Sequence, residues 1–197
     1  EMEWLVMPGN HDREAVRSRL FHNVFGRHVP ELIGEVSGIT SLFLPEYLPV
    51  GEYPKTELGG DLIREVCESV SRSSPDALLV FSHFPLISQE SYAHRHGGQY
   101  AKHYLDGTVL LDRLNELVSG DIACFAAHQH WHRVITDGRQ THIMTASMIE
   151  YPMEARIVSV EHGKIDVATA DSACPDIARQ SLDTSAWVAG AAGDRAG

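Results

Sequence analysis

The sequence is short of positive charge. Sixteen Lys and Arg stand against 27 Asp and Glu, for a formal net charge of -11. Nucleic-acid binding through backbone phosphates needs clustered Lys and Arg, so no nucleic-acid-binding surface is expected. An acidic chain can still take a phosphate ester where bound cations supply the local positive charge. Cysteine is scarce too. Cys67, Cys124 and Cys174 are odd in number, far apart and without a CxxC pair, which argues against a disulfide scaffold or a zinc ribbon. Cys67 and Cys124 sit in apolar stretches and read as core. No hydrophobic run approaches the length that spans a bilayer, and no signal-peptide pattern opens the sequence. No membrane association is expected, and a cytoplasmic location is the expectation that follows.

What the chain does have is twelve histidines among 197 residues. Histidine is the commonest metal ligand and the usual proton-transfer residue near neutral pH, so their positions matter. With 43% hydrophobic and 22% charged residues, the chain has the composition and length for one globular core.

Strands and helices alternate along it. The apolar run 4–7 stops at Pro8-Gly9, a turn signal. Residues 12–21 read as a helix with an acidic start, and 39–44 as a strand ended by Pro45. A Pro- and Gly-rich loop covers 45–55. Leu58, Leu62, Ile63, Val66 and Val70 keep helical spacing over 58–71, and the run 77–81 has the continuous apolar character of a strand buried on both faces. Residues 88–103 read as a polar loop. Leu110, Leu111, Leu114, Leu117 and Val118 make a further amphipathic helix, and 122–127 a second buried strand. Strands follow at 133–136 and 140–145, joined by an Asp137-Gly138 turn. Two more are expected at 155–160 and 164–169, around His162-Gly163. From residue 171 the composition drifts to Ala, Gly, Ser and Asp, which predicts a domain over 1–170 and a disordered tail over 171–197.

Three polar motifs each follow an apolar run: Gly9-Asn10-His11-Asp12, Ser82-His83-Phe84-Pro85 and His128-Gln129-His130. Sites in open α/β sheets form outside the carboxyl ends of strands, so these loops are expected to converge on one rim. Each motif alone has an ordinary reading. Gly9-Asn10 suits a strand-to-helix turn with Asp12 at the helix start, and His83 a hydrogen-bonded histidine at a strand end. Side chains at i and i+2 of an extended segment share a side, which favours His128 and His130 acting together, although such pairs also arise by chance. The combination is far less easily accidental than any member.

In this order the motifs resemble those of the calcineurin-like metallophosphoesterases, in style closest to small bacterial members that include cyclic-nucleotide phosphodiesterases. The flanks Val6-Met7-Pro8 and Phe81-Ser82, and the stretch Phe84-Pro85-Leu86, are similar too, and the resemblance covers about residues 3–168. It implies an α/β sandwich of two β-sheets flanked by helices. It also implies hydrolysis of a phosphomonoester or phosphodiester, a small-molecule substrate, by metal-activated hydroxide at a pair of divalent ions, Mn, Fe or Zn. By the same resemblance Asn10, His83 and His128 would ligate one ion and His130 the other. His11 would be catalytic, facing the substrate, and Asp12 would orient His11.

Two departures stand against that pattern. The family's Asp-x-His and Gly-Asp motifs, which precede Gly-Asn-His-Asp, are missing, so the expectation is an N-terminally truncated domain holding at most one metal ion. Gly60-Asp61 has the right letters but reads as a helix start. Ala127 stands where the family usually has Gly. A non-catalytic scaffold or protein-binding domain of the same fold is therefore the alternative, and a mononuclear metal-binding protein a third. His94, His96 and His103 fall in a solvated loop, His132 reads as a near neighbour and not a ligand, and Arg13 as an exposed helix residue. His22, His28, His142 and His162 have no motif context.

Overall fold

The computed structural model describes residues 4–44, 56–88, 104–130, 132–146, 154–171, 175–177 and 180. Its centre is a six-stranded sheet. The strands are β1 (Ile33–Val36), β2 (Ile39–Phe43), β4 (Leu78–Ser82), β6 (Ile122–Ala126), β7 (Arg133–Asp137) and β8 (Gln140–Met144), ordered β1-β2-β4-β6-β8-β7. The inner four run parallel, and β1 and β7 close the edges antiparallel. Helix α3 (Gly60–Ser73) connects β2 to β4, and α4 (Thr108–Leu117) connects β4 to β6. The short strands β3 (Thr56–Glu57) and β5 (Leu105–Asp106) pair with each other in parallel.

Strand alternation sorts the side chains onto two faces. Leu42, Leu78, Val80, Ile122 and Cys124 face one way and pack against Val66 and Val70 of α3 and Leu110, Leu111 and Leu114 of α4. Each fully buried leucine of this layer contributes about 1.5–3 kcal/mol relative to exposure. On the other face Leu79, Ala123, Phe125 and Ile143 meet Val158, Val160, Ile165 and Val167. Those residues belong to the antiparallel hairpin β9 (Glu154–Glu161) and β10 (Lys164–Asp171). Phe43, Phe81 and Phe125 stand in register across three parallel strands, their rings stacked with successive centroids 5.2 Å apart. The molecule is thus α/β, with helices on one face of the main sheet and a two-stranded ribbon on the other.

Most expected elements are present within a residue or two. The N-terminal part is not as expected. Residues 4–9 form no strand: Val6 N–H donates to the His28 carbonyl (2.7 Å), but no strand among the described residues runs alongside. The helix expected over 12–21 is divided into a turn at Asn10–Asp12, α1 (Arg13–Arg17) and α2 (Leu20–Phe25). The break has a local cause. Arg19 turns left-handed at φ 60°, which no helix continues through, and Ser18 Oγ adds a bond to the Glu14 carbonyl (2.7 Å) of the kind that bends a helix. Strand β1 was not anticipated, although Ser37 and Gly38 (φ 52° and 77°) make the two-residue turn that joins it to β2, a conformation matched to hairpin twist. The loop expected over 45–55, all but the first residue of that expected over 88–103, and most of the tail lie outside the described residues; residues 175–177 are helical.

Candidate metal centre

The site begins with the register of two neighbouring parallel strands. Ser82 of β4 is level with Ala126 of β6, so both chains leave the sheet at the same height. Ala127 N–H still reaches the His83 carbonyl (3.1 Å). The two motif loops are therefore adjacent as a consequence of strand pairing. After β4, Ser82 Oγ donates to the Phe84 carbonyl (2.6 Å), which turns the chain and leaves His83 at the rim above a fully buried Phe84. After β6 the backbone folds back sharply: Gln129 N–H bonds the Ala127 carbonyl, with His128 between them at φ 57°. His128 is buried, and its ring lies 4.0 Å from that of Phe84.

The third contributor is the 9–12 loop, shaped by its own ends. Gly9 N–H donates to Asp12 Oδ2 (2.9 Å), and Asp12 N–H to the Gly9 carbonyl (3.0 Å). Gly9 lies against the His83 ring so closely that a Cβ there would sit 2.8 Å from Cε1. A cavity of about 350 Å³, lined by Met7, Pro8, Val16, Val29, Phe43 and Leu62 among others, separates this N-terminal segment from the core. Local hydrogen bonds and the His83 contact, more than packing, therefore place Asn10.

Three donor atoms converge as a result. Asn10 Oδ1 is 2.7 Å from His83 Nε2 and 3.3 Å from His128 Nδ1, and the two ring nitrogens are 3.3 Å apart. Ligands each about 2.1 Å from one first-row ion stand about 3.0–3.4 Å from one another in tetrahedral or octahedral arrangements. Two of the three spacings match, and the third, 2.7 Å, is the shorter separation of a hydrogen bond between His83 Nε2 and Asn10 Oδ1. The chemistry of the set also fits, since nitrogen and amide oxygen together suit a borderline divalent metal. His83 is pushed down to about 4, chiefly by burial, then by the neighbouring His130 and His11, with Asp12 opposing. The imidazole is thus neutral at pH 7, as a ligand must be.

The other expected site residues lie near this centre, close enough to act on His83 electrostatically. His130 is exposed, also left-handed (φ 58°), and acts on His83 electrostatically. The expectation that His128 and His130 share a side as an extended pair does not hold: both residues are in left-handed conformations, and the segment is a loop. Among the described residues no three His, Cys, Asp or Glu side chains converge on a metal-sized site; it is the amide of Asn10 that makes a trio with His83 and His128. His11 is exposed beside Asn10. Asp12 is placed as the cap of its own loop, its Oδ2 on Gly9 N–H. Gly60–Ser73 is helical, so Gly60-Asp61 is the helix start that its position implies, with Asp61 paired to Arg64 (2.8 Å). Ala127 is exposed and has no left-handed backbone, so its methyl group is accommodated without strain.

Two contributors were not anticipated. Gly9 sets the His83 position by having no side chain, and Phe84 forms the apolar floor under His128. Both sit inside the quoted motifs, but their roles depend on contacts between residues more than 40 positions apart. No protein-family model matches the chain, and no curated protein does, so the functional reading rests on these residues and their geometry.

Proposed function

We propose that the protein is a metal-dependent phosphoesterase of the calcineurin-like type. The observation that carries the reading is the convergence of Asn10 Oδ1, His83 Nε2 and His128 Nδ1 within 3.3 Å of one another, at the carboxyl ends of adjacent parallel strands. Those three side chains would hold one divalent ion, with His130 directed to a second. Bound there, such ions supply Lewis-acid polarisation of a phosphoryl oxygen and a nucleophile at neutral pH. The protein's own groups divide the remaining work. Burial keeps His83 neutral and ready to donate an electron pair. Phe84 excludes water beneath His128 and fixes its ring. His11, exposed on the loop that carries Asn10, would meet the substrate and protonate the departing oxygen. Asp12 holds that loop closed through Gly9 N–H.

A second reading, a single-ion or non-catalytic domain of the same fold, is favoured by one observation: among the described residues no three His, Cys, Asp or Glu side chains gather into a metal-sized group. Elemental analysis after dialysis against Mn²⁺, with hydrolysis of bis-(p-nitrophenyl) phosphate on the same sample, separates the two. The phosphoesterase reading expects bound metal and turnover abolished by chelation. Bound metal without turnover would sink it in favour of the second reading.

A further inference from the structure

We infer that His132 and Glu154 form a positioning pair that holds the His128–His130 loop in its strained, donor-converging form. The inference builds on the metal-centre reading and assigns the pair no contact with substrate.

His132 is only 14% exposed at its side chain and lies where three segments meet. It follows the loop bearing His128 and His130 and precedes β7. Its Nδ1 receives the backbone N–H of Ala146 (3.3 Å), just past the end of β8. Nε2 stands 2.7 Å from Glu154 Oε2, within ion-pair distance although the ring N–H is not aligned on that oxygen. Glu154 is buried and opens β9, the ribbon packed on the far face of the sheet. Arg156, on the same side of that strand, supplies the positive charge: it and Glu154 act on each other electrostatically, and it reaches the Met144 carbonyl (3.4 Å) and Thr169 Oγ1. Glu154 thus faces both the His132 ring and the charge of Arg156, which ties the start of β7 to the ribbon.

The loop needs such a tie. His128 and His130 both hold left-handed backbones, a conformation unfavourable for a non-glycine residue that persists only where the surroundings enforce it. On one side of the loop the enforcing contacts are the strand end at Ala126, whose carbonyl takes Thr145 N–H (2.8 Å), and the Phe84 ring. On the other side the link is His132, two residues beyond His130, anchored to both β8 and β9. Releasing it would free the loop to relax to ordinary backbone angles, which would swing His128 Nδ1 away from Asn10 and His83.

The test compares wild type with His132→Ala, His132→Gln and Glu154→Gln by two readouts. The first is the ¹H–¹⁵N spectrum of the histidine rings without metal, with the ring-to-ring contact between His83 and His128. The second is Zn²⁺ affinity of the folded protein. Loss of a supporting contact of this kind typically lowers metal affinity 10–100-fold. His132→Ala is expected to fall in that range, to shift the His128 ring signals and to lose the contact with His83. His132→Gln, which keeps a donor and an acceptor, is expected to restore much of both. Should His132→Ala not fold, Glu154→Gln reads the same loss. Unchanged His128 signals and Zn²⁺ affinity, with lowered thermal stability alone, would overturn the proposal. If wild type takes no Zn²⁺, the metal reading fails, while the ring spectra still decide this one.

Discussion

Replacing Gly9 by alanine tests the geometry of the centre with a single methyl group. The Gly9 backbone (φ -102°, ψ -177°) is extended and open to any residue, so alanine adds no backbone strain. What it adds is a collision: its Cβ would stand 2.8 Å from His83 Cε1 and 3.0 Å from Nδ1. Non-bonded carbons settle about 3.5–4.0 Å apart, so the ring must recoil by about 0.7 Å or the loop must lift by as much. Either movement breaks the 2.7 Å contact between Asn10 Oδ1 and His83 Nε2. Overpacking of this kind costs about 1–3 kcal/mol, which in a chain of this length lowers the melting temperature by about 2–4 °C per kcal/mol. The more telling readout is Zn²⁺ affinity by calorimetry, expected to fall at least about tenfold, the equivalent of 1.4 kcal/mol. Gly59→Ala is the control: a Cβ at Gly59 meets nothing within 4 Å, and its affinity should equal that of wild type. Wild-type affinity in Gly9→Ala would refute the claim that this glycine sets the His83 position.

Other perturbations have equally definite outcomes. Burial holds His142 at about 4 against an ordinary 6.5, so below pH 6.5 the unfolded chain takes up a proton that the native state refuses. Stability should therefore fall as pH drops from 6.5 toward 4, by at most about 3 kcal/mol from this group; urea titrations at both ends should show the fall reduced in His142→Leu. Leu114→Ala empties a fully buried position between α4 and the sheet and should cost about 2–5 kcal/mol in denaturant midpoint analysis, with Zn²⁺ affinity of the folded protein unchanged. Asp12→Ala removes the acceptor for Gly9 N–H and should cost about 0.5–2 kcal/mol, the usual loss for such a cap. It should weaken Zn²⁺ binding as well, because the same loop carries Asn10.

Much of the architecture was legible because burial writes itself as pattern. The runs that became β4 and β6 are apolar without interruption, as strands covered on both faces must be, and α3 and α4 show their apolar stripes at helical spacing. The adjacency of the His83 and His128 loops followed from placing polar motifs after such runs; Asn10 reaches them although no strand precedes its loop. What escaped reading depended on partners distant in sequence. Residues 4–7 have strand composition but no neighbour to pair with. β3 and β5 are two residues each, too short for any periodicity. The separation of His128 from His130 arises from left-handed backbones that an i, i+2 rule for extended chain cannot anticipate. His132 looked like a bystander because its partner, Glu154, comes from a ribbon on the opposite face of the sheet.

The central claim is that Asn10, His83 and His128 together hold a divalent metal ion. The most direct test is equilibrium dialysis against Zn²⁺ and Mn²⁺ followed by elemental analysis of wild type, Asn10→Ala, His83→Ala, His128→Ala and His11→Ala, each verified as folded. The account predicts bound metal in wild type and in His11→Ala, with loss in each of the other three. Metal retained at wild-type content in the triad variants, or none bound by wild type, would contradict it.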